Sequence, residues 1–248
     1  MTPQELRAEV AALHWWHRID LGQGVVTPGA DDSPAKLSRL SLPVDLTGKR
    51  VLDIGAWDGF FSFEAERRGA AGVLAVDAAW QGPDGGAYKR GFNLARRALS
   101  SHVEDRQGDV LGVRAEEVGT FDLVLMLGVL YHTRHPLLVL ERIFSLTRPG
   151  GLLILETETD MLWRRRPALA FYPGAELNGD PTNWFAPNER ALLGMVAASG
   201  FNNATVKYRT PLLRRIGRAL KHRRTDGAPV LHGLERGRAV VHAVRSAG

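Results

Sequence analysis

RVLDIGAWDGFFSFEAERRGA, residues 50–70, followed by GVLAVD at 72–77, decides the fold of this chain. A short apolar run (Val51, Leu52, Ile54) breaks at Gly55 into a tight turn. From Gly59 an amphipathic segment opens, in which Phe60, Phe61, Phe63 and Ala65 are interspersed with Glu64, Glu66, Arg67 and Arg68. This pattern predicts strand, glycine loop, helix. The second strand ends at Asp77, 18 residues after Gly59. A crossover of that length puts a carboxylate beside the ribose of a bound nucleoside. The loop reads D-x-G-x-x-x-G (Asp53, Gly55, Gly59), not G-x-G-x-x-G. An acid at the strand end is badly placed for a pyrophosphate but can receive the amino end of an amino-acid-bearing nucleoside.

Further along, Val103 to Val110 predicts a weak strand ending near Asp109, with that carboxylate or the Val110 amide placed for an adenine. FDLVLM, from Phe121, is a continuous apolar strand of the kind buried on both faces. It runs into Leu127-Gly-Val-Leu-Tyr131-His132. A helix follows from His135 to Leu146, stopped by Arg148-Pro149-Gly150-Gly151, and a strand from Gly151 to Glu156. The alternation predicts an α/β, Rossmann-like, doubly wound, mostly parallel sheet of seven strands with helices on both faces. Residues 1–45 are expected to form an N-terminal helix and lid, and 46–248 the nucleoside-binding domain with an insertion at about 160–188. That insertion holds FYPGAELNGDPTNWFAPN, Phe171 to Asn188, which lacks a helical or strand period. Loops of this length tend to be functional, and Asn183 and Trp184 are its candidate acceptor contacts. A helix from Ala191 to Ser199 and strands Ala204–Tyr208 and Arg238–Val244 are expected to close the sheet.

Composition narrows the chemistry. The 248 residues contain no cysteine, which excludes disulfides, thiolate nucleophiles and cysteine-held zinc. His14 and His17 stand three apart with no third ligand nearby, so no metal site is expected. The longest apolar run, Leu123 to Tyr131, is far shorter than a bilayer requires, and the N-terminus has no signal-peptide pattern; a soluble cytoplasmic protein is the expectation. The formal charge of +5 is local. Val206 to Thr225 holds eight Lys or Arg and no acid, which leaves −3 for the remainder. Leu212, Leu213, Ile216 and Leu220 recur there at helical spacing, predicting a helix with one buried stripe and a cationic face. That face is either solvated or a surface for tRNA or another polyanion.

The loop and its acid resemble those of class I S-adenosylmethionine-dependent methyltransferases. The resemblance implies that Asp53, Gly55 and Gly59 shape the methionine pocket and that Asp77 binds the ribose hydroxyls; Asp109, Val110 and Leu127 are the further cofactor contacts expected. Trp57-Asp58 departs from it, standing where many members carry another glycine, and Trp57 is expected to pack over the cofactor. The entry segment from Trp16-His17-Arg-Ile-Asp-Leu-Gly22 to Pro28-Gly29 is similar to a narrower branch, as are GVLYHTRHP (128–136) and GDPTNWFAPN (179–188). This branch is related to the wobble-uridine tRNA methyltransferases and carboxymethyltransferases. Its carboxymethyl members hold the extra carboxylate of a carboxylated cofactor with cations and a tyrosine. Tyr131 and Arg238 match two of those positions and Lys36 another cofactor contact, whereas their entry lysine falls at His17. The resemblance therefore implies S-adenosylmethionine as cofactor. The expected acceptor is the oxygen or nitrogen of a small molecule, with tRNA and a non-catalytic cofactor-binding module as alternatives. His132 and Glu156, at the ends of neighbouring predicted strands, are the candidates for a general base.

Overall fold

The computed structural model describes residues 1–81, 85–226 and 230–246. Among these, the strands are β1 (Arg50–Ile54), β2 (Gly72–Asp77), β3 (Glu104–Gln107), β4 (Phe121–Leu127), β5 (Thr147–Thr159), β6 (Leu169–Phe171), β7 (Phe185–Pro187), β8 (Asn202–Arg209) and β9 (Gly237–Val244). Seven of them form one mixed, mostly parallel sheet in the order β3-β2-β1-β4-β5-β9-β8, the Rossmann-like arrangement expected from the alternating pattern. β1, β2 and β3 are parallel; β9 runs antiparallel to both β5 and β8. By compactness the chain divides into two units, Met1–Leu125 with Ser145–Gly151, and Met126–Phe144 with Leu152–Gly248. Among the described residues no helix is long and apolar enough to cross a membrane.

The first unit is built around β1 and β2, whose Val51, Leu52, Ala75 and Val76 are fully buried. Its helices are α1 (Pro3–Ala11), α2 (Ser33–Leu40), α3 (Phe60–Arg67), α4 (Gly85–Ala98) and α5 (Ala115–Val118). α1 starts with a reciprocal cap, in which Thr2 Oγ1 accepts from Glu5 N–H and Glu5 accepts from Thr2 N–H. α3 opens at Gly59, where φ is +90° and an added Cβ would lie 2.6 Å from the Phe63 ring and 2.7 Å from the Phe92 ring. Only glycine both adopts that conformation and leaves the rings room. Phe63, Phe92 and Trp80 pack ring against ring beneath the loop. Burying each such side chain stabilises the unit by about 1.5–3 kcal/mol.

The second unit holds α6 (Pro136–Leu146) as far as Phe144, α7 (Glu189–Ala198), α8 (Leu212–Asp226), α9 (Val230–Glu235) and strands β6 to β9. Three expectations change here. The Arg148-Pro149-Gly150-Gly151 stop does not lie ahead of the strand, because β5 already begins at Thr147. Pairing of β5 with β9 starts only at Leu152, so the N–H that Pro149 lacks breaks no bond of that ladder. Next, the long insertion is closed at its base by the β6–β7 ribbon, over a small core of Tyr172, Leu177 and Ala186. Last, α8 forms as expected but turns the other way: Leu212, Leu213, Ile216 and Leu220 are exposed. Arg215, Arg218 and Ala219 face α9 instead. Arg215 Nη1 donates to Leu234 O at 2.7 Å, and Arg218 Nη2 donates to Arg236 O at 2.5 Å. The two guanidiniums satisfy carbonyls at and just beyond the end of α9, which the leucines cannot do.

Candidate active site

In the first unit the glycine loop leaves β1 between two buried carboxylates. Asp53 is 2% exposed, and its Oδ2 accepts from the Ser62 hydroxyl at 2.6 Å. Burial pushes its pKa up to about 6, against the pull of Ser62 and His17; Asp77 adds to the rise. Asp77 is also buried and also raised, again chiefly by burial. Each of its oxygens takes one backbone donor, Trp57 N–H and Ala79 N–H, both at 2.7 Å. Trp57 itself has φ +52°, a left-handed conformation that strains a bulky residue. It is held there by Asp77 and by Trp80 Nε1, which donates to Trp57 O at 2.9 Å. Its ring lies against Tyr88, centroids 4.4 Å apart. On the far side of the crossover, Asp109 caps the turn after β3 through Leu111 N–H, and Val110 is buried beside it.

Asp58, to which the sequence assigns no role, fastens the N-terminal segment to this loop. It is 1% exposed and accepts from Trp16 N–H at 2.7 Å, from His17 N–H, and from His17 Nδ1. The His17 ring is buried against Phe60 and Phe61. Thr27 closes the same turn, donating to His17 O at 2.6 Å and accepting from Ile19 N–H at 2.8 Å. Lys36 is paired with Asp31 at 2.5 Å, and Asp31 N–H donates to Trp16 O. The Trp57-Asp58 pair, standing where many members carry a glycine, is the available signal: a buried acid in that place needs donors, and the backbone of Trp16 and His17 supplies them.

The second unit gathers another set. Arg238, near the start of β9, sits opposite Glu158 in the β5 register. Glu156 and Glu158 fall on one face of β5 because strand side chains alternate. Arg238 engages both oxygens of Glu156, through Nε and through Nη2 at 2.8 Å. Its Nη1 donates to Glu158 Oε1 at 2.6 Å and Nη2 to the Tyr131 hydroxyl at 3.2 Å. Asn178 also donates to Glu158, at 3.1 Å. Burial alone would pull the guanidinium down, but Glu156 and Glu158 outweigh it and hold Arg238 protonated. Burial raises Glu158, with Arg238 opposing. It raises Tyr131 as well. Arg238, Glu156 and Glu158 thus sum to a formal charge of −1, with Arg218 exerting a weaker attraction on Glu158.

Around that cluster, the 3-10 turn Leu130–His132 stacks the Tyr131 and His132 rings 4.4 Å apart. His132 Nδ1 meets Thr182 Oγ1 at 2.9 Å. Desolvation by the surrounding protein holds His132, an exposed residue, below the ordinary imidazole range, Asp180 and Thr182 opposing and Arg238 reinforcing. Asn183 is 3% exposed; its Nδ2 donates to Leu177 O, while Oδ1 is buried without a donor among the described residues. Trp184 N–H donates to Tyr131 O at 2.7 Å, its ring stacks on Phe171, and Arg134 lies 4.4 Å over it. Of the residues expected from sequence, the structure therefore groups Asp53, Gly55, Gly59, Asp77, Asp109 and Val110, with His17 and Lys36, in the first unit. Leu127, Tyr131, His132, Glu156, Asn183, Trp184 and Arg238 lie in the second. Glu158 and Asn178 are additions that only the β5–β9 register and the folded insertion expose.

Comparison with known proteins agrees with this architecture. Residues 31–206 match the family described as "Methyltransferase domain". Curated relatives include the tRNA U34 carboxymethyltransferases of Colwellia psychrerythraea, 30% identical over 65% of this chain and 47% of that protein, and of Geobacter sp. (strain M21), 30% identical over 81% and 60%. The chain spans about half the length of the curated relatives it matches. Among solved structures, the N-terminal domain of EvdMO1 with S-adenosylhomocysteine bound superposes with a TM-score of 0.66 at 16% identity, covering 99% of this chain and 98% of that one. Phosphoethanolamine N-methyltransferase 2 of Haemonchus contortus, in complex with S-adenosyl-L-methionine, gives 0.60 at 16% identity, covering 91% and 55%. At such identities the likeness shows the fold. The family match covers well over half of the sequence and includes the glycine loop, both buried acids and Tyr131: the chain belongs to the S-adenosylmethionine-dependent methyltransferases.

Proposed function

We propose that this chain transfers a methyl group from S-adenosylmethionine to an oxygen or nitrogen of a small molecule. The observation that carries this reading is the Arg238 cluster. The cation that would hold the extra carboxylate of a carboxylated donor is already engaged by Glu156 and Glu158, and the matching entry position is His17, buried on Asp58. A site of formal charge −1 favours a neutral or cationic ligand over an anion.

When bound, the cofactor supplies a methyl on a sulfonium, a good leaving group, so alignment is the main task left to the protein. The residues of the first unit fit it. Asp53 is a buried carboxylate with no ion-pair partner among the described residues, suited to an ammonium group. Asp77 uses one acceptor site on each oxygen, and a carboxylate has about four, so ribose hydroxyls have acceptors left. Asp109, the Val110 amide and Leu127 are proposed for the adenine side, and Lys36 and Tyr131 as further cofactor contacts. In the same reading residues 1–45 act as a lid segment, with 160–188 as the acceptor-side insertion.

For the acceptor, His132 is the proposed general base. A proton on Nδ1, directed to Thr182, leaves the Nε2 lone pair for a hydroxyl or amine, and the lowered pKa keeps that lone pair available at neutral pH. Glu156, with both oxygens on Arg238, acts as a fixed anion that orients. Asn183 Oδ1, buried and unmatched, is an acceptor for a ligand donor; Trp184 offers an apolar wall.

Asp77→Ala is expected to weaken binding of both S-adenosylmethionine and S-adenosylhomocysteine by about 1.5–3 kcal/mol, the range for a hydrogen bond to a charged group. Calorimetry showing unchanged affinity would remove Asp77 from the ribose. The function itself is tested with labelled donor. Label is expected to enter small hydroxyl or amine acceptors from ordinary S-adenosylmethionine in preference to its carboxylated form, and not to enter bulk tRNA. Activity should survive Arg223→Ala with Arg224→Ala, two exposed residues of α8. RNA binding through that helix should be weak, with a log–log salt slope of about −0.7 to −0.9 per phosphate contacted. Transfer to one tRNA nucleotide, lost in that double variant, would favour the tRNA reading instead.

A further inference from the structure

Beside the Arg238 cluster, within the second unit, lies a cavity of about 280 Å³. Its lining includes Arg164, Arg165, Arg190, Arg209, Arg215 and Arg238, with Glu189 as the one acid. Arg238 is neutralised by Glu156 and Glu158, and Arg209 by Glu189 at 3.2 Å. Among the described residues, no acid lies within ion-pair distance of Arg164, Arg165, Arg190 or Arg215. Arg215 feels the charge of Glu189 beyond ion-pair distance, and the exposed Arg164, Arg165 and Arg190 share the concavity with no acid of the described residues paired to them. Like charges so placed repel, and each stabilises an anion that comes between them.

The walls are built, not incidental. Asn188, 2% exposed, ties the arginine-bearing segment to α7: its Nδ2 donates to Arg166 O at 2.8 Å, and its Oδ1 accepts from Ala168 N–H at 3.2 Å and Ala191 N–H at 2.9 Å. The same Oδ1 caps α7, whose N-terminal dipole end adds positive potential at this wall. Arg215 is fixed by its bond to Leu234 O, yet its Nε is buried with no acceptor among the described residues. Burial lowers its pKa, with Glu189 opposing and the neighbouring Arg218 and Arg209 reinforcing the fall. Trp163, held through Nε1 to Glu235 at 2.7 Å, presents a half-exposed ring at the rim.

We propose that this cavity binds a phosphomonoester carried on a small molecule. A phosphomonoester brings a charge of about −1.5 to −2 and three strong acceptor oxygens, enough to engage several guanidiniums bidentately where a single carboxylate would leave most unmatched. The volume lies just under the usual range of roughly 300–1,000 Å³ for small-molecule pockets, so it admits the phosphate with a short or sugar-sized body, which Trp163 can cover. The site stands whichever acceptor is methylated.

The test is calorimetry on the whole chain with ribose 5-phosphate, inorganic phosphate and ribose, repeated on Arg165→Ala and Arg190→Ala. Ribose 5-phosphate is expected to bind saturably, inorganic phosphate to compete with it, and ribose to do neither. Each replacement should weaken binding at least tenfold, while Arg97→Ala, in the first unit, leaves it unchanged. S-adenosylhomocysteine affinity of the two variants, unaltered, reports that they are folded. A uridine oligomer without a terminal phosphate should fail to displace ribose 5-phosphate, and the same oligomer with a 5′-phosphate should succeed if the monoester of an RNA end is the source. No saturable phosphate binding, equal binding by both variants, or displacement by the unphosphorylated oligomer would each overturn the proposal.

Discussion

Arg238→Met is expected to destabilise the protein by about 3–5 kcal/mol, the cost of leaving buried charge without its partner. Among the described residues the Arg238 guanidinium is the one cation in ion-pair contact with Glu156 and Glu158, whose side chains are 10% and 6% exposed. A methionine of similar length fills the space but leaves two carboxylates facing each other on one strand face. Urea unfolding at pH 7 should show a lower midpoint with an unchanged slope. The deficit should shrink as pH falls, because protonating the carboxylates removes the uncompensated charge. Adding Glu156→Gln and Glu158→Gln to the same chain should recover most of the loss, since removing all the charges together costs far less than removing one partner. A loss below about 1 kcal/mol in the single variant would mean that water, not Arg238, solvates the two acids.

The second large effect concerns Asp53, and its sign is opposite. Its pKa is about 6 in the folded chain against an ordinary 3.8, so between those values the native state holds a proton that the unfolded state has released. Stability contributed by this group is present below pH 3.8 and is lost as pH rises through 6. At pH 7 the cost approaches a ceiling of about 3 kcal/mol, roughly two pKa units at about 1.4 kcal/mol each. Asp53→Asn retains an acceptor for Ser62 and carries no charge. The cofactor-free variant should therefore be more stable than the parent at pH 7, by up to that ceiling, and indistinguishable from it near pH 4. Affinity for S-adenosylhomocysteine should fall by about 1.5–3 kcal/mol as the ammonium loses its anion. Unfolding curves at the two pH values and a cofactor titration read both halves. A variant less stable than the parent at pH 7 would make Asp53 a structural residue and not one held in strain for a ligand.

Local signals carried the cofactor half of the site. The run into Asp53, the glycines at 55 and 59 and the acid at 77 belong to one strand-loop-helix-strand unit of under 30 residues. There the periods of 2 and 3.6 and the turn chemistry are set by neighbours in sequence. Asp58 escaped because its partners, Trp16 and His17, stand 42 and 41 positions away. The orientation of α8 escaped for a related reason. Leucines at helical spacing indicate a buried stripe, but which face turns inward depended on the carbonyls of α9, and Arg215 and Arg218 can hydrogen-bond them whereas leucine cannot.

The acceptor half shows the limit most clearly. Tyr131, Glu156 and Arg238 were each visible as candidates, Arg238 as a cation for a carboxylate. That Glu156 and Glu158 would claim it was not visible, since 82 and 80 residues separate them in the chain. The sequence alone determined the sheet-building alternation, the glycine loop with its two buried acids and the family to which they belong. These follow from backbone sterics and hydrophobic periodicity over short spans. The tertiary structure alone decided which charges meet. The antiparallel register of β9 on β5 sets Arg238 opposite Glu158, and the Asn188 cap ties the segment bearing Arg164 and Arg165 to α7, beside a cavity that Arg209 and Arg215 also line. Coulomb energy depends on distance in space, and at these separations distance along the chain does not predict it.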